Sequence, residues 1–214
     1  MLKKWGNNML SKGVLLAVED KLSEAVAVKI LNKLGFEIVK TIGHKGNDYL
    51  KQKAKGLNRN ARKPYNVFML TDLDSPKKCP PQLIQSWIGG SLNFGFFLRV
   101  AVMEVESWVM ADQSAFAEFL KVPIQEVPTR TDEVPDPKAS LLSLAKKSRS
   151  VELRKELLPK KGNKTSKIGP GYNTRLSGFV RDYWDMDRAA SISPSLKRTL
   201  DRLQSTRPLF EADQ

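Results

Sequence analysis

Residues 13–20 read GVLLAVED and residues 65–74 read YNVFMLTDLD. Each is an unbroken apolar run of strand length that ends in acids. A strand apolar at nearly every position has both faces covered, which is the habit of parallel sheets with helices on either side. Between the two runs, Leu22, Val26, Ile30, Leu31 and Leu34 recur at helical spacing, with Ser23 as a candidate cap and Gly35 as the stop. Residues 36–42 (FEIVKTI) and 96–103 (FFLRVAVM) read as further strands. Helices are predicted near 49–54 and over 82–88 and 104–111. Strands alternating with helices give an α/β fold with a mostly parallel sheet and flanking helices.

The last third differs. Residues 123–137 form a proline-rich, acidic connection, 138–158 reads helical, and 159–172 is a basic loop with several glycines. Further helices are expected over 176–184 and 194–203, with a frayed end from Ser205. The division that follows is an α/β core over 1–120 and a helical C-terminal extension over 121–214 packed on it. There is no internal repeat.

Composition narrows the partners. Among 214 residues, 36 Lys and Arg stand against 23 Asp and Glu, a net charge of +13. That excess suits a protein that meets phosphates, although solubility or an acidic membrane surface would also account for it. One cysteine, Cys79, leaves no internal disulfide and no CxxC pair for zinc. No signal core or membrane-length apolar run is visible. A reduced, cytoplasmic protein is expected.

In an open α/β sheet, ligands bind outside the carboxyl ends of the strands. Glu19 and Asp20 follow the first strand, Asp72 and Asp74 the third, Glu104 and Glu106 the fourth. Clustered carboxylates raise one another's pKa unless a cation joins them. Hard oxygen donors with a single histidine, His44, point to Mg²⁺ or Mn²⁺. In extended backbone Asp72 and Asp74 would face one metal while Leu73 packs the other way. The competing reading is that they open a turn before Ser75 and Pro76. Glu104 and Glu106 read equally as additional metal ligands or as first-turn acids facing the helix dipole.

Basic residues gather in two places. Lys45, Lys51, Arg59 and Arg62 lie in one polar stretch, and KKGNKTSK at 160–167 carries Lys160, Lys161, Lys164 and Lys167. Either group could follow a phosphate backbone or be a solvated surface. The second is no Walker A loop, because the upstream glycine is absent. His44 and the tryptophans Trp87, Trp108 and Trp184 read as structural, Trp5 as a partner contact.

The segments VEDKLSEAV (18–26), LTDLD (70–74) with Cys79 and Pro80, and VMEVESWVMAD (102–112) resemble a bacterial Toprim-like family of unknown function. That family is often found beside ATPases in phage-defence loci. DPK at 136–138 and SPSLKRTLDRL near the end match as well. The Toprim fold it is similar to is shared by primases, topoisomerases and overcoming-lysogenization-defect nucleases. The resemblance implies that Glu19 is an acid–base group or metal ligand and that Asp72 and Asp74 are metal ligands. It implies a Mg²⁺- or Mn²⁺-dependent nuclease or nucleic-acid-processing subunit with an ATPase partner; DNA is the favoured substrate, and an RNA-directed enzyme stays open because the sequence does not separate the two. It leaves open a non-catalytic docking or sensing module. The sequence departs in three places: Asp20 where many relatives have Gly, Ser75 to Lys78 where Toprim nucleases commonly continue with acids, and Met103 where Arg is usual.

Overall fold

The computed structural model describes residues 12–61, 66–75, 77–160, 162 and 166–206. Trp5 lies outside these residues.

Four strands form one parallel sheet in the order β2-β1-β3-β4: β1 (Gly13–Val18), β2 (Glu37–Gly43), β3 (Asn66–Asp72) and β4 (Phe96–Ala101). The chain passes from β1 outward to β2, then returns across β1 to β3. The reversal makes β1 and β3 neighbours at a topological switch point. α1 (Lys21–Lys33) packs on one face of the sheet, α2 (Gly46–Asn60) and α3 (Pro80–Ile88) on the other.

Alternation along the strands assigns side chains to two cores. Val14, Leu16 and Val18, with Phe68 and Leu70, face α1. Ala17, Val67 and Met69 face α2 and α3. The α1 face is much the thicker, because the C-terminal helices build on it. These are α4 (Val105–Ala111), α5 (Gln113–Leu120), α6 (Pro137–Lys147), α7 (Val151–Leu157), α8 (Tyr172–Asp182), α9 (Met186–Ile192) and α10 (Pro194–Gln204). Trp108 and Trp184 are fully buried there, and the Trp184 indole N–H donates to the Trp108 carbonyl at 3.0 Å. Residues on both sides of position 120 share this core, for example Phe116 and Phe179, whose rings meet edge to face at 5.6 Å.

Helix ends depart from the sequence reading in informative ways. Asp20, not Ser23, caps α1: its carboxylate accepts the Ser23 N–H at 2.8 Å. Ser23 is buried in the first turn. α2 runs far beyond 49–54, because Leu50, Ala54 and Asn58 supply a buried stripe at four-residue spacing that contains one large apolar residue. The 138–158 helix is two, α6 and α7, broken where Ser148 leaves helical backbone and Ser150 caps the second by accepting the Leu153 N–H. α5 and α9 are helices beyond those expected.

Backbone strain collects at the carboxyl edge of the sheet. His44, Asp74 and Met103, just past β2, β3 and β4, all have positive φ, at 59°, 52° and 64°. Gly43 is forced: at φ 123° a Cβ would stand 1.8 Å from the Val18 carbonyl oxygen.

Candidate functional site

Glu19 follows β1 and Asp72 ends β3, so both stand at the switch point. The same Glu19 oxygen, Oε1, accepts from the Thr71 hydroxyl, from the Asp72 backbone N–H at 2.9 Å and from the Asn47 amide at 3.3 Å. Asp72 gives Oδ1 to the Val105 N–H, 2.9 Å away at the start of α4. Glu19 is thus seated by Asn47 of α2 and by the end of β3, and Asp72 by the start of α4, with the two carboxyls close enough to repel each other. Among the described residues no protein donor meets Glu19 Oε2 or Asp72 Oδ2.

Asp74 does not continue the alternation. β3 ends at Asp72, Leu73 still packs beneath α2 and α3, and Asp74 turns into left-handed backbone and is exposed. Extended geometry fails here because the Asp74 N–H is drawn to the Met103 carbonyl at 3.0 Å, where the segment after β4 is itself turning. Asp72 and Asp74 therefore do not face one point in the manner of an extended DxD.

The acids nonetheless share a field. Burial, then repulsion from Glu19, Glu106 and Asp74, holds Asp72 well above the usual carboxylate range. Burial pushes Glu19 up as well, against the Thr71 and Asp72 hydrogen bonds that pull it down. Asp74 is raised by its own partial burial, while Lys138 draws it back.

Lys138 is the cation of this edge. Its ammonium lies 3.7 Å from Glu104 and 3.4 Å from Glu106. Burial alone would lower it, but Glu106, Glu104, Asp72 and Asp20 together hold it above the ordinary lysine range. Glu104 and Glu106 converge on it because Glu104 is still extended as the cap of α4 while Glu106 has entered the first turn. Glu104 also accepts the Lys138 N–H at 2.8 Å, closing the start of α6. Glu106 is 1% exposed and accepts the Tyr172 hydroxyl at 2.9 Å. Burial and then Glu106 keep that phenol neutral. The sequence reading missed Lys138 and Tyr172. The DPK match was the one signal that touched Lys138.

The basic residues divide. Lys45 precedes α2 at the acidic edge, with its ammonium over the Tyr49 ring at 5.4 Å. Lys51 lines a cleft beside Asp74. Arg59 is in the last turn of α2, at the end away from the acids. Lys160 and Lys167 are exposed in the connection that leads into Tyr172, and hence into the acidic edge. Arg62, Lys161 and Lys164 lie outside the described residues. His44 meets Glu24 at 3.0 Å.

Among the described residues, no three His, Cys, Asp or Glu side chains are gathered as a metal-holding group. The turn at Asp74 takes the third carboxylate out of line with the other two. Among the same residues no helix is long and apolar enough to cross a membrane.

No family model matches the chain, and no curated protein does. Among solved structures it is similar to the C-terminal region of the Burkholderia pseudomallei OLD protein, with 15% identity and a TM-score of 0.44 over 92% of this chain and 98% of that one. A likeness of that degree assigns no role to any residue here.

Proposed function

We propose that the chain is a divalent-metal-dependent nuclease or nucleic-acid-processing subunit, acting on DNA in preference to RNA beside an ATPase partner in antiviral defence. The observation that carries this is the placement of the Glu19 and Asp72 carboxyls together at the β1–β3 switch point, each with one oxygen that meets no protein donor among the described residues. Groups that are costly to keep ionised together, at the edge where open sheets bind ligands, are candidates for function.

The donor chemistry suits Mg²⁺ or Mn²⁺. Such ions are commonly held by one or two carboxylates, with water and substrate phosphate completing the shell, so a three-acid cage is not required. Asp72 Oδ2 and Glu19 Oε2 are the oxygens left for it, with Asp74 within electrostatic reach. When bound, the ion supplies charge neutralisation and Lewis acidity at a phosphodiester. Where Asp72 holds the ion without Glu19, the Glu19 carboxyl, raised by burial, could instead pass a proton from Oε2 to the leaving oxygen. Tyr172 donates its hydroxyl hydrogen bond to Glu106 and keeps its proton, so water is the better nucleophile. Glu104 and Glu106 would serve a second metal only by exchanging Lys138 for it. The resemblance of VEDKLSEAV and VMEVESWVMAD to the Toprim-like family supports the same reading and supplies the ATPase partner.

A docking or sensing module is the second reading. It is favoured by the exposed, turned Asp74 and by Lys138, which already neutralises Glu104 and Glu106. Plasmid DNA and total RNA incubated with Mg²⁺ or Mn²⁺, with and without the proposed ATPase partner, decide between them. Metal-dependent cleavage lost in Glu19→Gln and Asp72→Asn establishes the nuclease. No cleavage in either condition, with all variants folded, establishes the module.

A further inference from the structure

On the thin side of the sheet, between α2 and α3, lies a cleft of about 500 Å³ bounded by Asn47, Lys51, Asp74, Lys78, Gln82 and Trp87. It reaches the acidic edge at two points. Asp74 is part of its wall, and Asn47 donates to Glu19.

Its chemistry is divided. Lys51 and Lys78 are exposed, and neither has a carboxylate partner among the described residues. Their charges are free for a ligand anion. Leu73, Leu83 and Trp87 are buried and give an apolar floor. Gln82 gives its carbonyl oxygen to the Cys79 N–H at 3.3 Å, which leaves its amide N–H groups to donate. Ser86 gives its hydroxyl proton to the Leu83 carbonyl at 2.7 Å, which leaves its oxygen to accept. Two cations set beside two carboxylates, Asp48 and Asp74, with a donor, an acceptor and an apolar floor in a cavity of small-ligand size, match one nucleotide of low charge.

We infer that this cleft is a nucleotide subsite, and that it holds one unpaired nucleotide of a strand whose adjoining phosphate lies at the acidic edge. The inference rests on the nucleic-acid reading above and deepens it, by naming single-stranded or frayed-end nucleic acid as the substrate class. A volume of about 500 Å³ is of single-nucleotide size, which favours an unpaired nucleotide over a base pair. Charge separates a strand from a free nucleotide. A strand brings one negative charge per phosphate, which two lysines match. A free triphosphate would concentrate its charge against Asp48 and Asp74, which also line the cleft.

The test is fluorescence anisotropy of a short labelled oligothymidylate in chelator, so that binding is read without turnover. Wild type is expected to bind the single strand more tightly than the same strand annealed. Lys51→Ala and Lys78→Ala should each weaken binding roughly fivefold and lower the salt slope by about 0.7, the share of one phosphate contact on a single strand. Lys155→Ala, on α7, should change neither. Unchanged binding in both cleft variants, a preference for duplex, or equal competition by thymidine monophosphate overturns the inference. A protein that binds as expected and cuts nothing loses the nuclease reading and keeps the cleft. A protein that cuts DNA with binding indifferent to Lys51 and Lys78 loses only the cleft.

Discussion

The two faces of the sheet are built to different ends. The α1 face carries Trp108, Trp184, Tyr172, Phe116 and Phe179, all at most 2% exposed, under a second layer of helices. That layer is tied down by part-buried polar contacts: Asp112 accepts from Nε and Nη2 of Arg188 at 2.9 and 2.8 Å, and Asp132 accepts from the Ser193 hydroxyl and the Ser195 N–H. The opposite face has only α2 and α3, and Leu50, Ala54, Leu83 and Trp87 suffice to hold them. Polar and charged side chains of that thin face are left in the open, where they bound a cleft. Stability is concentrated on one side and accessible chemistry on the other, with the acids along the crest between them.

Four substitutions test this division, from the largest expected effect to the smallest. Trp108→Ala empties the centre of the thick face and removes the indole N–H that donates to Ser195 at 2.6 Å. It should cost about 3–5 kcal/mol. Denaturant melts read this as a lower midpoint at constant slope. A loss no greater than that of Trp87→Ala, on the thin face, would erase the contrast.

Lys138→Met leaves Glu104 and Glu106 without their cation. We expect a loss of about 2 kcal/mol, below the range for a fully buried pair because a third of the lysine side chain meets solvent. Adding Glu106→Gln should recover much of it, and a double-mutant cycle reads the coupling.

Asp72→Asn should do the reverse and stabilise the metal-free protein by about 1 kcal/mol, since it removes a desolvated charge and keeps an acceptor for Val105. The sign follows from the raised pKa. Above an ordinary Asp pKa of about 3.9 the unfolded chain has lost its proton while the folded chain keeps it. Wild-type stability therefore falls relative to Asp72→Asn as pH rises from there to the folded value, and the gap is constant beyond. Thermal melts in chelator across pH measure it, and a gap that shrinks with rising pH would refute it. Lys51→Ala, exposed on the thin face, should change stability by less than about 0.5 kcal/mol.

Much of the layout is legible in the sequence because it depends on local pattern. The apolar runs of β1 and β3 announce two covered faces, and the acids that end them mark the ligand edge. What escapes is set by long-range packing. Gln113–Leu120 and Met186–Ile192 are short helices whose burial comes from partners far along the chain. Asp74 obeys the alternation on paper and breaks it in space, because a carbonyl beyond β4 captures its N–H. Lys138 reads as one lysine among many basic residues. Only the fold shows that its ammonium is paired with both Glu104 and Glu106. Lys78, on the cleft wall, reads in the sequence only as a departure from an acidic pattern.

The placement of Lys138 and Tyr172 has a consequence for synthesis. A ribosome releases Glu19, Asp72, Glu104 and Glu106 long before either of them. Until α6 and α8 emerge, the nascent chain carries the repelling acids without their internal cation and without the phenol that seats Glu106. A product aborted within the proline-rich connection therefore holds every proposed metal ligand and no finished centre. The late helices act as a completeness check, and only a chain translated through Tyr172 can assemble the edge that the earlier residues outline.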